Sequence, residues 1–229
     1  MSEAAGVDNV ERGVVMGGAL FSYGNFSIGA INYYSDDIIN IFYSEAKQTL
    51  KLSDTLGLNF AAQFTNQASV GDDLLTGSSF HVNQFGLRAG ISYRSGIFTA
   101  GYTNDSRGSD MRSPWGGYPG YTSVQVQDFN RAGEQSIMGK LSYDFTRLGL
   151  EGLTAYALYV HGWNRVDPTT KKSVPNENEF DADLQWKPKQ GFLKGIWFRV
   201  RYAIVHQYQE PKNYIHDFRF IVNYDFSLL

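Results

Sequence analysis

Basic side chains recur at alternate positions in several segments of this 229-residue chain. Arg199 and Arg201 are two residues apart, and Arg219 lies in a similar alternating segment near the C-terminus. Because successive side chains of a β-strand point to opposite faces, alternate residues share one face. A row of cations along a hydrated surface would attract carboxylates and pass them from one site to the next. The other basic residues placed in this way are Lys47, Lys51, Arg88, Arg94 and Lys140.

Three carboxylates, Glu179, Asp181 and Asp183, alternate in the same way upstream of the arginines. A surface that offers both charges would suit zwitterionic solutes such as amino acids, whose ammonium and carboxylate groups need opposite partners. Two alternatives stay open: the charges only hydrate a wall and pair with each other, or the carboxylates bind calcium. The calcium site is disfavoured, because these positions of a strand spread over about 13 Å.

The chain carries little that could perform catalysis. It has no cysteine, which removes thiol, disulfide and zinc-thiolate chemistry, and its four histidines lack metal-binding spacing. The strained Gly-x-Ser-x-Gly turn of serine hydrolases is also missing from the sequence. We therefore predict that the chain is not an enzyme and uses no cofactor or metal. The net charge of −3 argues against nucleic-acid binding.

The elements that must position these charges are long alternating segments. In 216–229, aromatic or apolar residues occupy every second position from Phe218 to Phe226, with polar residues between most of them. Alternation over about nine to eleven residues suits a tilted strand that crosses a bilayer, whereas strands of soluble proteins average about five or six. The faces of 153–164 cannot be assigned, because apolar residues fill both. The other segments are 13–24, 25–34, 38–50, 56–67, 84–94, 97–103, 136–145, 179–186 and 198–207.

Short turns alternate with longer loops between these segments, as in bacterial outer-membrane barrels. The predicted fold is all-β: a transmembrane antiparallel β-barrel of about 10–11 strands, in which 1–229 form one partial barrel domain. Residues 1–12 are predicted to be the remnant of an outer loop, and 105–135 a long extracellular loop. In that loop Trp115, Tyr118 and Tyr121 are expected to pack on one another; alternatively the loop folds over a pore mouth or contacts another protein.

The strand patterns of 38–48, 85–93, 156–164 and 197–229 resemble those of the porin D (OprD) family, and the similarity covers nearly all of the chain. The resemblance implies a channel of about eighteen strands in the bacterial outer membrane, for small carboxylates and amino acids. It also implies a basic ladder, to which Arg199, Arg201 and Arg219 would belong. The resemblance further implies an N-terminal half of the barrel, with a constriction loop that folds inward, as a partner of this chain.

The sequence thus predicts an outer-membrane porin that contacts lipid and lets small anionic or zwitterionic solutes diffuse through it. One rival hypothesis is a soluble or surface-attached β-sandwich that binds ligands through its long loops; its strands would be shorter, with apolar faces buried in pairs. Another is an enzyme built on a small closed barrel. The predicted solute path comprises basic residues Arg199, Arg201, Arg219, Arg88 and Lys140 and acidic residues Glu179, Asp181 and Asp183.

Overall fold

The structure is a computed structural model that describes residues 12–116, 120–208, 211 and 213–224. Within these ranges, eleven β-strands form one sheet in which each strand pairs antiparallel with the next in sequence. Expectations for residues 1–11, Tyr118 and Phe226 concern positions outside the described residues. The strands are β1 (Val15–Tyr23), β2 (Phe26–Ser35), β3 (Ile39–Lys51), β4 (Leu56–Ala68), β5 (His81–Tyr93), β6 (Gly96–Asp105), β7 (Gln135–Asp144), β8 (Leu153–Trp163), β9 (Glu177–Trp186), β10 (Ile196–Gln207) and β11 (Asn213–Tyr224).

The two faces of the sheet have opposite chemical character. On the outer face large apolar side chains are exposed, as at Leu87 (47 %) and Leu141 (61 %). On the inner face Gln63 and Gln84 are buried and joined by a 3.0 Å hydrogen bond. Soluble proteins bury their apolar face and expose the polar one. The reversed order is that of a barrel wall with lipid outside and water inside, as the alternation of residues predicted.

The sheet has two free edges, β1 and β11, and no pairing joins them among the described residues. Nor does a second sheet cover the apolar outer face in this part of the chain, which excludes the β-sandwich hypothesis. In the same ranges, no helix has the length and apolar character needed to cross a membrane.

The connections divide the sheet into two ends. At the short-turn end lie 24–25, 52–55, 94–95, 145–152 and 187–195. The long-loop end carries 36–38, 69–80, 106–116, 120–134, 164–176, 208 and 211, as far as the structure describes these connections. Arg94 belongs to one of the short turns, with φ +53° and its guanidinium over the Tyr93 ring. The sequence placed Arg94 on the inner face, so that expectation was wrong; the strand ends one residue earlier.

Candidate functional site

In the connection between β6 and β7, the described residues 106–116 and 120–134 fold back onto the inner face of the sheet, and we call them the inward loop. Its first half is fixed to β2 and β4. Trp115 stacks on Tyr33 with ring centroids 5.8 Å apart, and the backbone of Arg112 exchanges hydrogen bonds of 2.7 and 2.9 Å with the Gln67 side chain. The ring partner of Trp115 therefore lies on the wall and not, as expected, within the loop.

The middle of the inward loop presents Tyr121 to β3 and β5. Its hydroxyl donates a 2.7 Å hydrogen bond to Glu45, and the Arg88 guanidinium lies 4.4 Å from its ring centroid. Burial and the bond to Glu45 raise the pKa of the Tyr121 phenol, which keeps it protonated as a donor. The next residue, Thr122, joins the hydroxyls of Thr103 and Ser136 in a buried network.

Two of the predicted carboxylates hold the second half of the inward loop. Glu179 accepts hydrogen bonds from the backbone N–H groups of Val126 (2.8 Å) and Gln127 (2.7 Å). Asp181 accepts one from the N–H of Gln125 at 3.2 Å. Both side chains are buried under the loop. Their predicted part in a solute path stays a prediction, since the contacts they make in the structure are with the loop backbone.

The last strand also holds the inward loop. Arg219 of β11 pairs with Asp217 at 2.8 Å and donates a 3.2 Å hydrogen bond to the carbonyl oxygen of Gln125. The Gln125 side chain in turn donates to Asp217 at 2.9 Å. The loop thus spans the inner face from β2 to the far edge of the sheet, and Arg219 is occupied by it.

An apolar cluster seats the loop on β7 and β8. Phe129 of the loop packs with Met138, Leu158 and Val160 on the inner face. A Cβ at Gly162 would lie 2.7 Å from the Phe129 ring, so only glycine admits the ring there. This cluster explains why the faces of 153–164 could not be assigned, because β8 is apolar towards the loop as well as towards the outside.

The two arginines that the sequence favoured share one carboxylate. Asp183 of β9 lies 2.7 Å from Arg199 and 3.2 Å from Arg201, both on β10. The register explains the pairing, since Asp183 is directly opposite Arg201. These arginines face the inner surface as predicted, but much of their charge is balanced locally.

Arg88 and Lys140 are different, because neither makes an ion pair with any described residue. Each instead lies over a tyrosine ring: Arg88 over Tyr121, and Lys140 4.0 Å from the ring centroid of Tyr156. Both line an inner-face depression of about 840 Å³, together with Lys47. Lys47 is neutralised by Glu45 at 2.6 Å. Among the described residues, the depression therefore contains two cations that make no ion pair and lie beside aromatic rings.

The family model of the outer membrane porins of the OprD family matches residues 5–228 of the chain. The chain belongs to the OprD family. This match confirms the resemblance that was inferred from the strand patterns. The predictions of an all-β barrel fold and of a place in the bacterial outer membrane are confirmed with it. The family and its fold are those of a non-enzymatic channel.

Solved OprD-type channels of Pseudomonas aeruginosa share the fold of the chain. OpdK, solved with vanillate, is 19 % identical with a TM-score of 0.83, over 92 % of this chain and 56 % of that one. OpdG is 21 % identical with a TM-score of 0.84, over 92 % of this chain and 54 % of OpdG. OpdL is 21 % identical with a TM-score of 0.82, over 92 % of this chain and 58 % of OpdL. This chain therefore spans just over half the length of these channels. No curated protein sequence matches it.

The described residues of this OprD-family chain contain no group of carboxylates and histidines arranged to hold a metal ion. Glu179, Asp181 and Asp183, the hypothetical calcium ligands, are directed at loop amides and arginines. Sequence reasoning missed the inward loop as the partner of these carboxylates. The only sign of the inward loop in the sequence was the length of the connection between β6 and β7, because backbone N–H donors carry no sequence signature.

Buried charges join the bases of two long loops at the long-loop end. Arg165 pairs with Glu177 at 2.9 Å and lies 3.8 Å from Glu134, the last residue of the inward loop. Glu134 is fully buried, and its burial raises its pKa from 4.5 to about 7. The cluster therefore holds a carboxyl group that takes up a proton near neutral pH.

Glu134→Gln is expected to flatten the pH dependence of stability in this OprD-family chain. A carboxyl whose folded pKa is raised stabilises the fold fully below its unfolded pKa of about 4.5, and this stability is lost as pH rises towards about 7. Urea unfolding in micelles should show the free energy of unfolding of the parent falling by up to about 3 kcal/mol over this range. The glutamine variant should show little of that fall. Glu151→Gln, at an exposed turn, should behave like the parent; equal slopes in parent and Glu134→Gln would contradict the assignment.

Proposed function

We propose that this chain forms the larger part of the wall of a passive diffusion channel for small carboxylates, amino acids included. The observation that carries the proposal is that Arg88 and Lys140, in the inner-face depression, make no ion pair with a described residue. A solute carboxylate within about 4 Å of either cation gains roughly 1–4 kcal/mol at effective dielectric constants between those of bulk water and a protein surface. Cations already paired with a carboxylate offer less, because part of their field is cancelled.

Apolar and aromatic side chains beside these cations favour carboxylates with an apolar or aromatic body. Val124, Met138 and Leu158 line the same depression, as do Tyr121 and Tyr156. Met138 and Leu158 also seat the inward loop through Phe129, and Val124 and Tyr156 pack against them. A carboxylate could place its charge between Arg88 and Lys140 and its body on the apolar side. The relative OpdK was solved with vanillate, an aromatic carboxylate, which is consistent with this class of solute.

Amino acids would use a neighbouring part of the same wall. Their carboxylate would bind at Arg88 and Lys140, and their ammonium group would lie towards Asp181, which also lines the depression. The N–H of Gln125 binds Oδ2 of Asp181, and the buried Oδ1 has no hydrogen-bond partner among the described residues. Arg199, Arg201 and Arg219 would then act as weaker, partly balanced members of a basic ladder.

A channel requires the edges of the sheet to be paired. Backbone N–H and C=O groups that face lipid without partners cost several kcal/mol each, and β1 and β11 each present such an edge. We propose that about seven further strands, supplied by the N-terminal half of an OprD-type barrel, complete the wall. The share of the solved channels that this chain covers supports that arrangement.

Arg88→Gln and Lys140→Gln are each expected to weaken binding of benzoate to the folded chain in micelles by roughly five- to tenfold. The physical reason is that each substitution removes one uncompensated cation from the depression. Isothermal titration measures the affinity. Lys51→Gln is the matched control, since Lys51 lies at the end of β3 and pairs with Asp54. An equal loss in Lys51→Gln, or a larger one in Arg199→Gln, would contradict the proposed site.

A further inference from the structure

The two largest turns of the short-turn end touch each other. The N–H of Lys187 donates a 2.9 Å hydrogen bond to the carbonyl of Gly152. A Cβ at Gly152 would lie 2.0 Å from the carbonyl oxygen of Lys187, and the residue has φ +76°. Only glycine allows this approach. Residues 145–152 and 187–195 therefore form one surface, which we call the turn platform.

Local hydrogen bonds fix the shape of the turn platform. The Asp144 side chain accepts from the N–H of Thr146 at 2.8 Å, at the start of the 3₁₀ turn Phe145–Leu148. Gly149 ends that turn with φ +83°. In the second segment the N–H of Lys194 donates to Gly191 at 3.1 Å. The side chains of the platform thus project from an ordered backbone.

The platform exposes three large apolar side chains. Phe192 is 94 % exposed, Leu148 64 % and Leu150 52 %. A single exposed apolar residue is ordinary on a protein surface, but a group of them on two contacting turns marks an interaction surface. The platform also directly continues the lipid-facing strands, where Trp186 ends β9. An apolar surface at this depth is suited to the boundary between lipid tails and headgroups.

The same platform is rich in positive charge. Arg147, Lys189 and Lys194 are exposed, and they make no ion pair with any residue that the structure describes. Lys187 adds a fourth basic residue, whereas Glu151 is the one acidic residue of the two segments and Asp144 precedes them. By contrast, Lys51, beside the turn 52–55 between β3 and β4, is paired with Asp54. Arg94, in the turn 94–95 next to the platform, is a further exposed basic residue, but the platform carries most of the positive charge among the described short turns.

We propose that the turn platform binds the headgroups of anionic phospholipids in the membrane leaflet at the short-turn end. In bacterial barrels this end faces the periplasm. Aromatic and aliphatic side chains inserted at the headgroup boundary, flanked by lysine and arginine, are the arrangement by which proteins bind anionic lipid surfaces. Phe192 and Leu148 would insert between the acyl chains, while Arg147, Lys189 and Lys194 would bind phosphate groups.

Spin-labelled lipids test this proposal directly on the folded chain in phosphatidylcholine bilayers. Spin-labelled phosphatidylglycerol should associate with the protein roughly threefold more strongly than spin-labelled phosphatidylcholine. The triple variant Arg147→Gln/Lys189→Gln/Lys194→Gln should bring this ratio close to one. The matched control Lys171→Gln/Lys172→Gln, which alters two exposed lysines at the long-loop end, should leave the ratio unchanged.

Salt dependence provides a second measurement on the unaltered chain, independent of any variant. The preference for phosphatidylglycerol should disappear at about 1 M salt, because the Debye length there is only about 3 Å. A ratio of one in the unaltered chain, a preference that persists at high salt, or an equal ratio in the chain and its triple variant would each overturn the proposal. Equal losses in the triple variant and the long-loop control would show general charge attraction and would also overturn it.

Discussion

Alanine at both Glu179 and Asp181 is expected to speed tryptic cleavage of the inward loop by roughly a hundredfold. The two carboxylates accept hydrogen bonds from three successive backbone N–H groups, those of residues 125–127. Hydrogen bonds to a charged group each contribute about 1.5–3 kcal/mol. Losing them should lower the free energy of loop opening by at least about 3 kcal/mol, and the cleavage rate follows the population of the open loop.

The inward loop supplies its own protease sites at Arg107, Arg112 and Arg131, so cleavage can be followed by mass spectrometry of the folded chain. Asp167→Ala is the matched control. Asp167 also accepts two backbone hydrogen bonds, at 2.9 and 2.6 Å, but they close only its own turn in another loop. Glu179→Gln/Asp181→Asn, which removes the charge and leaves one acceptor oxygen on each side chain, should be intermediate. If the double alanine variant is cut no faster than the parent, other contacts hold the loop.

This expected result depends on contacts that the sequence could not supply. The strands follow from a period of two, which is a local property, and eleven segments were recognised within a few residues of their bounds. The inward loop is held instead by Tyr33, Glu45, Gln67 and Glu179, which lie on four different strands. Their positions relative to the loop depend on the register of the whole sheet, and alternation within one strand does not encode that register.

The basic residues illustrate the same limit. The sequence correctly placed Arg199 and Arg201 on the inner face, and Asp183 was visible on a neighbouring segment. Whether the charges meet depends on the nine residues 187–195 between β9 and β10, since the geometry of this turn fixes the register. The structure sets Asp183 opposite Arg201, so the most conspicuous arginines are partly balanced. Arg88 and Lys140, on other strands, make no ion pair with a described residue.

Arginine in place of Leu87 is expected to reduce the ratio of folded to unfolded chain in lipid by roughly thirty- to several-hundredfold. Leu87 lies at the centre of β5 on the outer face and is 47 % exposed. An arginine facing lipid at the midplane of a barrel costs about 2–4 kcal/mol, and this range sets the expected ratio. The folded fraction can be measured by urea titration in vesicles, with the heat-dependent mobility of the barrel on gels as the readout.

Asn59→Arg is the matched control, because it introduces the same side chain on the adjacent strand β4. Asn59 faces the inner depression, where an added guanidinium can remain in water. We expect its folded fraction to change little, within about 0.5 kcal/mol, as for ordinary surface substitutions. Asn59 is paired with Gly90, three residues from Leu87 towards the short-turn end, and the same side chain is introduced at both sites, so the main difference is the face that receives the charge. If both variants insert equally well, the outer face does not contact lipid; if both fail, the inner face is not hydrated. Either outcome would contradict the solute path proposed for Arg88 and Lys140, because that path needs lipid on the outer face and water on the inner face.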